Sequence, residues 1–181
     1  RSRGLGDVYK RQPNKDLQMT QKKICTLGTS AVGKSSLVAR FVKGIFSENY
    51  LTTIGVKIDK KTVSLKSQKI DLLIWDLNGE DRFQKLSMNY LRGAAGYLLV
   101  VDGTRRSTLD AALALHHKAQ AHIGSVPFVV LINKTDMKDE WEIEEADIND
   151  LQARGWTVLE TSAKTGSGVE KAFSNLTRKL V

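Results

Sequence analysis

The stretch Gly28–Ser36, GTSAVGKSS, constrains this chain more than any other part of it. It follows an apolar run, Lys22–Gly28, that reads as a strand. It leads into Lys34–Lys43, where Leu37, Val38, Phe41 and Val42 form one helical stripe. A strand, a small-residue turn with the spacing G-x-x-x-x-G-K-S and a helix together make a cradle for phosphate. Backbone N–H groups turn inward, and the helix N-terminus adds its partial positive charge. Ser30, Ala31, Val32, Gly33, Lys34, Ser35 and Ser36 then surround the anion. Lys34 reaches the terminal phosphates, and Ser35 offers its hydroxyl to Mg²⁺. An accidental glycine-rich loop is the alternative, and the correct flanking elements argue against it.

The remaining pattern alternates strands with helices. Val56–Leu65 and Lys69–Leu77 read as strands joined by the short turn LKSQK, a hairpin spacing. Tyr97–Asp102 and Phe128–Asn133 are buried-type strands, and Val158–Thr161 is a shorter one. Helices are predicted over Leu109–Ile123 with Ser107 as N-cap, and over Ala146–Arg154 ending at Gly155. A third starts from the capping-box spacing Ser167 to Glu170 and runs to the end. The expected class is α/β, a mostly parallel sheet covered on both faces, made mixed by its hairpin.

Composition sets outer limits. The 181 residues are 41% hydrophobic, which suits one domain with an ordinary core. No apolar run approaches the ~20 residues of a membrane span. A single cysteine, Cys25, allows no disulfide within the chain and points to a reducing cytoplasm. The formal charge of +8 invites a nucleic-acid reading, but its N-terminal share is suspect. Residues 1–18 read as an extension, and Ser2–Gln12 looks like a translated adaptor from a sequencing library, a scar rather than structure. A genuine basic extension is the alternative. Arg1, Arg3, Lys10 and Arg11 against Asp7 give residues 1–12 a charge of +3, leaving a moderate +5. Met19 is then the natural start of a single domain over 19–181, and no nucleic-acid partner is expected.

Two later motifs name the base. Asn133-Lys134-Thr135-Asp136 follows a buried strand directly. A carboxylate at Asp136 accepts from both N1–H and N2–H₂ of guanine; adenine offers no such donor pair and would leave the acid unpaired. Ser162, Ala163 and Lys164 stand at the end of the last strand, where the Ala163 N–H is placed for guanine O6. Both motifs fall at the strand edge where such sheets bind ligands.

GTSAVGKSS, TTIG, WDLNGE, NKTD and ETSAK, in this order, resemble the Ras-like small GTPases over about residues 22–181. YLTTIGVKI and YLRGAAG look most like the Rab branch, within which a prokaryotic Rab-like group is the narrower resemblance. The likeness implies a P-loop NTPase fold: six strands, mostly parallel with one antiparallel, and about five helices. It implies GTP/GDP and Mg²⁺ as ligands and a switch that hydrolyses GTP. By the same likeness Thr53 meets Mg²⁺ and the γ-phosphate, Phe46 packs on the guanine, and Tyr50 covers the phosphates. Asp76 holds Mg²⁺ through water, and the Gly79 N–H contacts the γ-phosphate. Lys34, Thr53, Gly79 and Glu80 make up the catalytic set. Ser30 and Ala31 stand where Ras proteins carry glycines, and Asn78 where alanine is usual. Effector, exchange-factor and activating proteins are the implied partners of a monomer, at a surface near residues 44–57 and 77–92. The chain ends in RKLV, without the prenylated cysteines of eukaryotic Ras and Rab proteins, so no direct lipid anchor is visible. The expected location is cytoplasmic, or peripheral to a membrane through a partner.

Glu80 stands where that family has its water-orienting glutamine. A carboxylate accepts from water but donates only when protonated, and it sits beside phosphate charge. Slow intrinsic hydrolysis is the expectation. A general-base role, or a Glu80 turned to solvent, are the alternatives, as is a module that holds GTP with negligible turnover. An RNA-associated GTPase and an ATP-using kinase are the other classes, the latter disfavoured by Asp136. Arg82 reads as a partner for nearby acids; Arg105 and Arg106, after the fourth strand, read as a solvated loop, with an approach to the phosphates as the alternative. His116, His117 and His122 read as helix surface or core, with spacing wrong for a metal pair. Trp141 and Trp156 read as packing.

Overall fold

A computed structural model describes residues 19–49, 55–66, 68–77 and 88–181. Six strands form one sheet in the order β2-β3-β1-β4-β5-β6. They are β1 (Thr20–Leu27), β2 (Val56–Leu65), β3 (Gln68–Leu77), β4 (Gly96–Asp102), β5 (Phe128–Asn133) and β6 (Val158–Thr161). Among the described residues only the β2–β3 pair is antiparallel, in the hairpin register Val56 opposite Leu77 and Leu65 opposite Gln68. The other pairs are parallel. The expected mixed α/β sheet is therefore what forms.

The longer α-helices among the described residues are α1 (Lys34–Lys43), α2 (Ser107–Ile123), α3 (Glu145–Ala153) and α4 (Val169–Lys179); residues 88–90 are helical as well. Strand alternation sorts the core into two layers. Leu98 and Val100 of β4, with Val129 and Leu131 of β5, face α1 and α4. Tyr97, Leu99 and Val101, with Val130 and Ile132, face α2 and Leu151 of α3. Every residue of β4 is buried, as a central parallel strand covered on both sides must be. Phe41 of α1 and Phe173 of α4 stack with ring centroids 3.8 Å apart, locking those helices together.

Two predicted caps are corrected. Ser107 is not the N-cap of α2 but lies inside the helix, and no side chain caps its start. Thr108 takes the polar role there. Its hydroxyl accepts from the Asp102 N–H at 3.0 Å and donates to the Arg105 carbonyl at 2.7 Å, tying the helix to the end of β4. Ser167 does not cap α4 either; the N-cap is Gly168, in the left-handed region at φ 72. The Ser167 carbonyl instead accepts the Ser162 N–H at 2.9 Å, closing the loop after β6. A true capping box occurs at α3, between Glu144 and Asp147.

Candidate functional site

Because β1 and β3–β6 run in parallel, their C-terminal ends deliver Gly28, Asp76, Asp102, Asn133 and Thr161 to one edge of the sheet.

On the phosphate side, Lys34 is almost fully buried, and its Nζ donates to the carbonyls of Gly28 (3.0 Å) and Thr29 (2.8 Å). Two of its three N–H directions are thereby fixed. Burial pulls the Lys34 ammonium down to about 8; the Asp76 charge opposes this, and the nearby Arg105 charge adds to it. Phosphate charge in the cradle favours the protonated form. The Ser35 hydroxyl donates to Asp76 Oδ2, and Thr26 Oγ1 donates to Asp76 Oδ1 at 3.1 Å. Burial raises the Asp76 carboxyl above its usual range, against the Ser35 bond and the Lys34 charge. The two groups assigned to Mg²⁺ thus lie side by side. Hydroxyl and carboxylate are hard oxygen donors of the kind Mg²⁺ takes, with substrate phosphate and water completing its shell.

The loop geometry explains its glycine. Gly33 has φ 101, and a Cβ there would come within 2.3 Å of Asn133 Nδ2. Ala31 adopts φ 60 without that freedom.

On the base side, Asn133 is buried at the end of β5. Its Nδ2 donates to the Val32 carbonyl at 3.0 Å. Its Oδ1 accepts from Thr161 Oγ1 at 3.1 Å and from the Ala163 N–H at 3.3 Å. One amide therefore joins the phosphate loop to the loop after β6. The sequence predicts an Ala163 N–H turned to a base; here that N–H has a partner, in a bond long enough to be weak. Asp136 lies in a 3₁₀ helix, Thr135–Glu140, and accepts from the Ser162 hydroxyl at 2.6 Å. Lys134 is left-handed at φ 74 and extends its Nζ to Asp102 at 2.7 Å. Lys164 pairs with Glu48 at 3.5 Å.

Between the two sides lies a cleft of about 370 Å³, inside the ~300–1,000 Å³ range of small-molecule sites. Ala31, Gly33, Ser36, Phe46, Asn133, Lys134, Asp136, Ala163 and Lys164 all line it, as do Ser47, Glu48 and Met137. Tyr50, Thr53, Asn78, Gly79, Glu80 and Arg82 lie outside the described residues.

Sequence reasoning passes over several residues that build this site. Arg40 of α1 donates to the carbonyls of Ala163 (2.8 Å) and Lys164, holding the loop after β6 from below. Asp102 is buried at the end of β4 and gathers Lys134, Thr104 and Arg105. Burial would raise its carboxyl, but those hydrogen bonds outweigh it and hold the group below its usual value. Its one sequence signal is position: an acid ending an apolar strand at the ligand edge.

A sheet of this topology with a phosphate loop at its C-terminal edge defines a nucleotide-binding α/β domain. Comparison with known proteins narrows the class. Residues 23–181 match the Ras family. Ras-related protein RABA4b of Arabidopsis thaliana is 36% identical over 156 residues, 85% of this chain and 70% of that protein. Human Ras-related protein Rab-8B is 35% identical over 161 residues, 88% of this chain and 78% of its own. GTP-binding protein ypt2 of Schizosaccharomyces pombe is 34% identical over 163 residues, 87% and 80% respectively. The chain belongs to the Ras family, as a small GTPase of the Rab branch. It is accordingly a GTP-binding switch protein.

Proposed function

We propose that residues 19–181 form one switch domain that cycles between GTP and GDP and hydrolyses GTP slowly unless a partner assists. The observation that carries the slow rate is the sequence WDLNGE, which puts Glu80 four residues after the buried Asp76 at the end of β3.

In this reading Asp136 accepts from the guanine edge, Phe46 packs on its face, and Ala163 and Lys164 wall the cleft. Ser162 orients the Asp136 carboxylate, and a fixed acceptor discriminates better than a mobile one. Lys34 and the backbone of residues 30–36 receive the phosphates. Ser35, Asp76 and Thr53 hold Mg²⁺, which when bound neutralises phosphate charge. Lys34 and the loop N–H groups stabilise charge on the γ-phosphoryl as water attacks it. Glu80, as a carboxylate, cannot donate to that group as an amide does.

Thr53 and Gly79 respond to the γ-phosphate, and effectors read the surface near residues 44–57 and 77–92. Exposed Ile45 and Ile58 give this surface apolar character. Exchange factors and activating proteins meet the same side. Among the described residues no helix is long and apolar enough to cross a membrane; a cytoplasmic place, or one peripheral to a membrane through a partner, is part of the proposal. The second reading, a module that holds GTP without turnover, draws on the same Glu80.

Single-turnover hydrolysis of bound GTP with Mg²⁺, on residues 19–181 and on Glu80→Gln, tests the proposal. We expect the parent to be slow and glutamine to accelerate it about tenfold or more. An equal or faster parent would refute the slow-switch reading. A parent with no turnover over days would favour the GTP-holding module.

A further inference from the structure

Asp102 and Arg105 belong to none of the motifs above, yet they connect the two sides of the cleft. Asp102 Oδ1 accepts from the Thr104 N–H (2.9 Å) and hydroxyl (2.7 Å). Oδ2 accepts from Lys134 Nζ at 2.7 Å and from Arg105 Nε at 2.9 Å. Arg105 then continues to the phosphate loop, where its Nη2 donates to the Ser30 carbonyl at 2.9 Å. The sequence Lys134, Asp102, Arg105, Ser30 is thus an unbroken line of charge-assisted bonds from the base side to the phosphate side.

The base end has its own brace. Trp141 Nε1 donates to the Lys134 carbonyl at 2.9 Å, holding that residue in its left-handed conformation. The indole lies against Gly103, where a Cβ would come within 2.2 Å of the ring. Glycine beside Asp102 is what admits the tryptophan. Trp141 is therefore more than packing.

Arg106 supplies the contrast. It pairs with Asp147 at 3.2 Å and lies 3.9 Å from Asp110, on the solvent side. Neither arginine is simply a solvated loop residue: Arg106 turns to the acids of α2 and α3, and Arg105 reaches the phosphate loop, the approach the sequence reading offered as the alternative. Arginine suits this place because its separate N–H groups serve a carboxylate and a carbonyl at once; a lysine ammonium is a single point that favours one of them.

We infer that Asp102 and Arg105 are positioning residues that couple the grip on the base to the grip on the phosphates, so that nucleotide release is set by the whole line. This rests on the guanine-site reading above. Arg105 is the residue to probe, since its side chain is 42% exposed and the buried Asp102 risks the fold when changed.

The test follows release of N-methylanthraniloyl-GDP from the full chain with Mg²⁺ present. Arg105→Ala should accelerate release about tenfold, as both of its charge-assisted bonds are lost, and Arg105→Lys about threefold, as one is lost. Trp141→Phe should accelerate it about threefold. The double variant Arg105→Ala/Trp141→Phe should release within about twofold of Arg105→Ala alone, because both loosen one line. A purely local structural role for each would instead give the product, about thirtyfold. That product, or an Arg105→Ala rate within twofold of the parent, overturns the inference. The parent's preference for GDP over ADP is measured alongside. Its absence would remove the guanine-site reading, whereas a retained preference with an inert Arg105 removes only the coupling.

Discussion

The base side and the phosphate side of the cleft are built by different means. The base side is a set of side chains fixed by other side chains: Asn133 holds Thr161 and Ala163, Ser162 holds Asp136, and Asp102 holds Lys134. The phosphate side is mainly curved backbone, set by φ 101 at Gly33 and φ 60 at Ala31, with one lysine clamped to its carbonyls. Recognising a base requires a fixed pattern of donors and acceptors. Holding phosphate requires charge and inward N–H groups, which any nucleoside polyphosphate satisfies. The proposed function thereby places specificity and affinity in separate regions, and Asn133 and Asp102 are where the regions touch.

The sharpest way to break this division is Asp136→Ala. It should lower GDP affinity about 10³-fold and bring GDP and ADP to near parity, while leaving the GDP-to-GMP affinity ratio intact. Competition against a fluorescent nucleotide reads all three ligands, and a collapse of the GDP-to-GMP ratio would merge the two sides. Lys34→Ala is the mirror case. It should cost about 10²-fold for GDP and much less for GMP, with the preference for guanine over adenine preserved.

Asn133→Ala attacks the junction. It removes one donor to Val32 and one acceptor for Thr161 and Ala163 in a buried place, so urea unfolding should show a loss of about 2 kcal/mol at unchanged m-value. A loss under about 0.5 kcal/mol would mean the amide is not the structural link the distances describe. The smallest effect is expected from Ala31→Gly. Relief of the left-handed conformation, about 1–2 kcal/mol, is offset by the greater freedom of glycine in the unfolded chain. A net gain of about 0.5 kcal/mol in the same unfolding experiment is expected, and a clear loss would show that the Ala31 methyl contributes packing instead.

The elements most readable in the sequence are those with local causes. The run KKICTLG followed by GTSAVGKSS announces strand, turn and helix, and β1 and α1 follow, with β1 starting two residues earlier than predicted, at Thr20. The cap assignments fail because a serine near a helix start is only locally favoured. Thr108 and Ser167 are recruited instead by tertiary neighbours, the end of β4 and the Ser162 N–H. Arg105 and Arg106 are adjacent and chemically identical, yet one reaches the phosphate loop and the other Asp147 of α3, a distinction no local pattern contains. Trp141 is likewise legible as packing but not as a donor to Lys134, since that depends on Gly103 being beside it in space.

The sequence by itself determined the fold class and supplied the motifs proposed to take phosphate and guanine, because each rests on short-range periodicity or on spacing within a few residues. That Glu80 stands where a glutamine is usual rests on the resemblance, and Glu80 lies outside the described residues. Only the tertiary structure decided how these pieces are held in register. Asn133 meets Val32 across 101 residues, Arg40 meets Ala163 across 123, and Arg105 meets Ser30 across 75. Such contacts are fixed by strand order, which brings distant chain ends to one edge, and a one-dimensional pattern does not encode which ends will become neighbours.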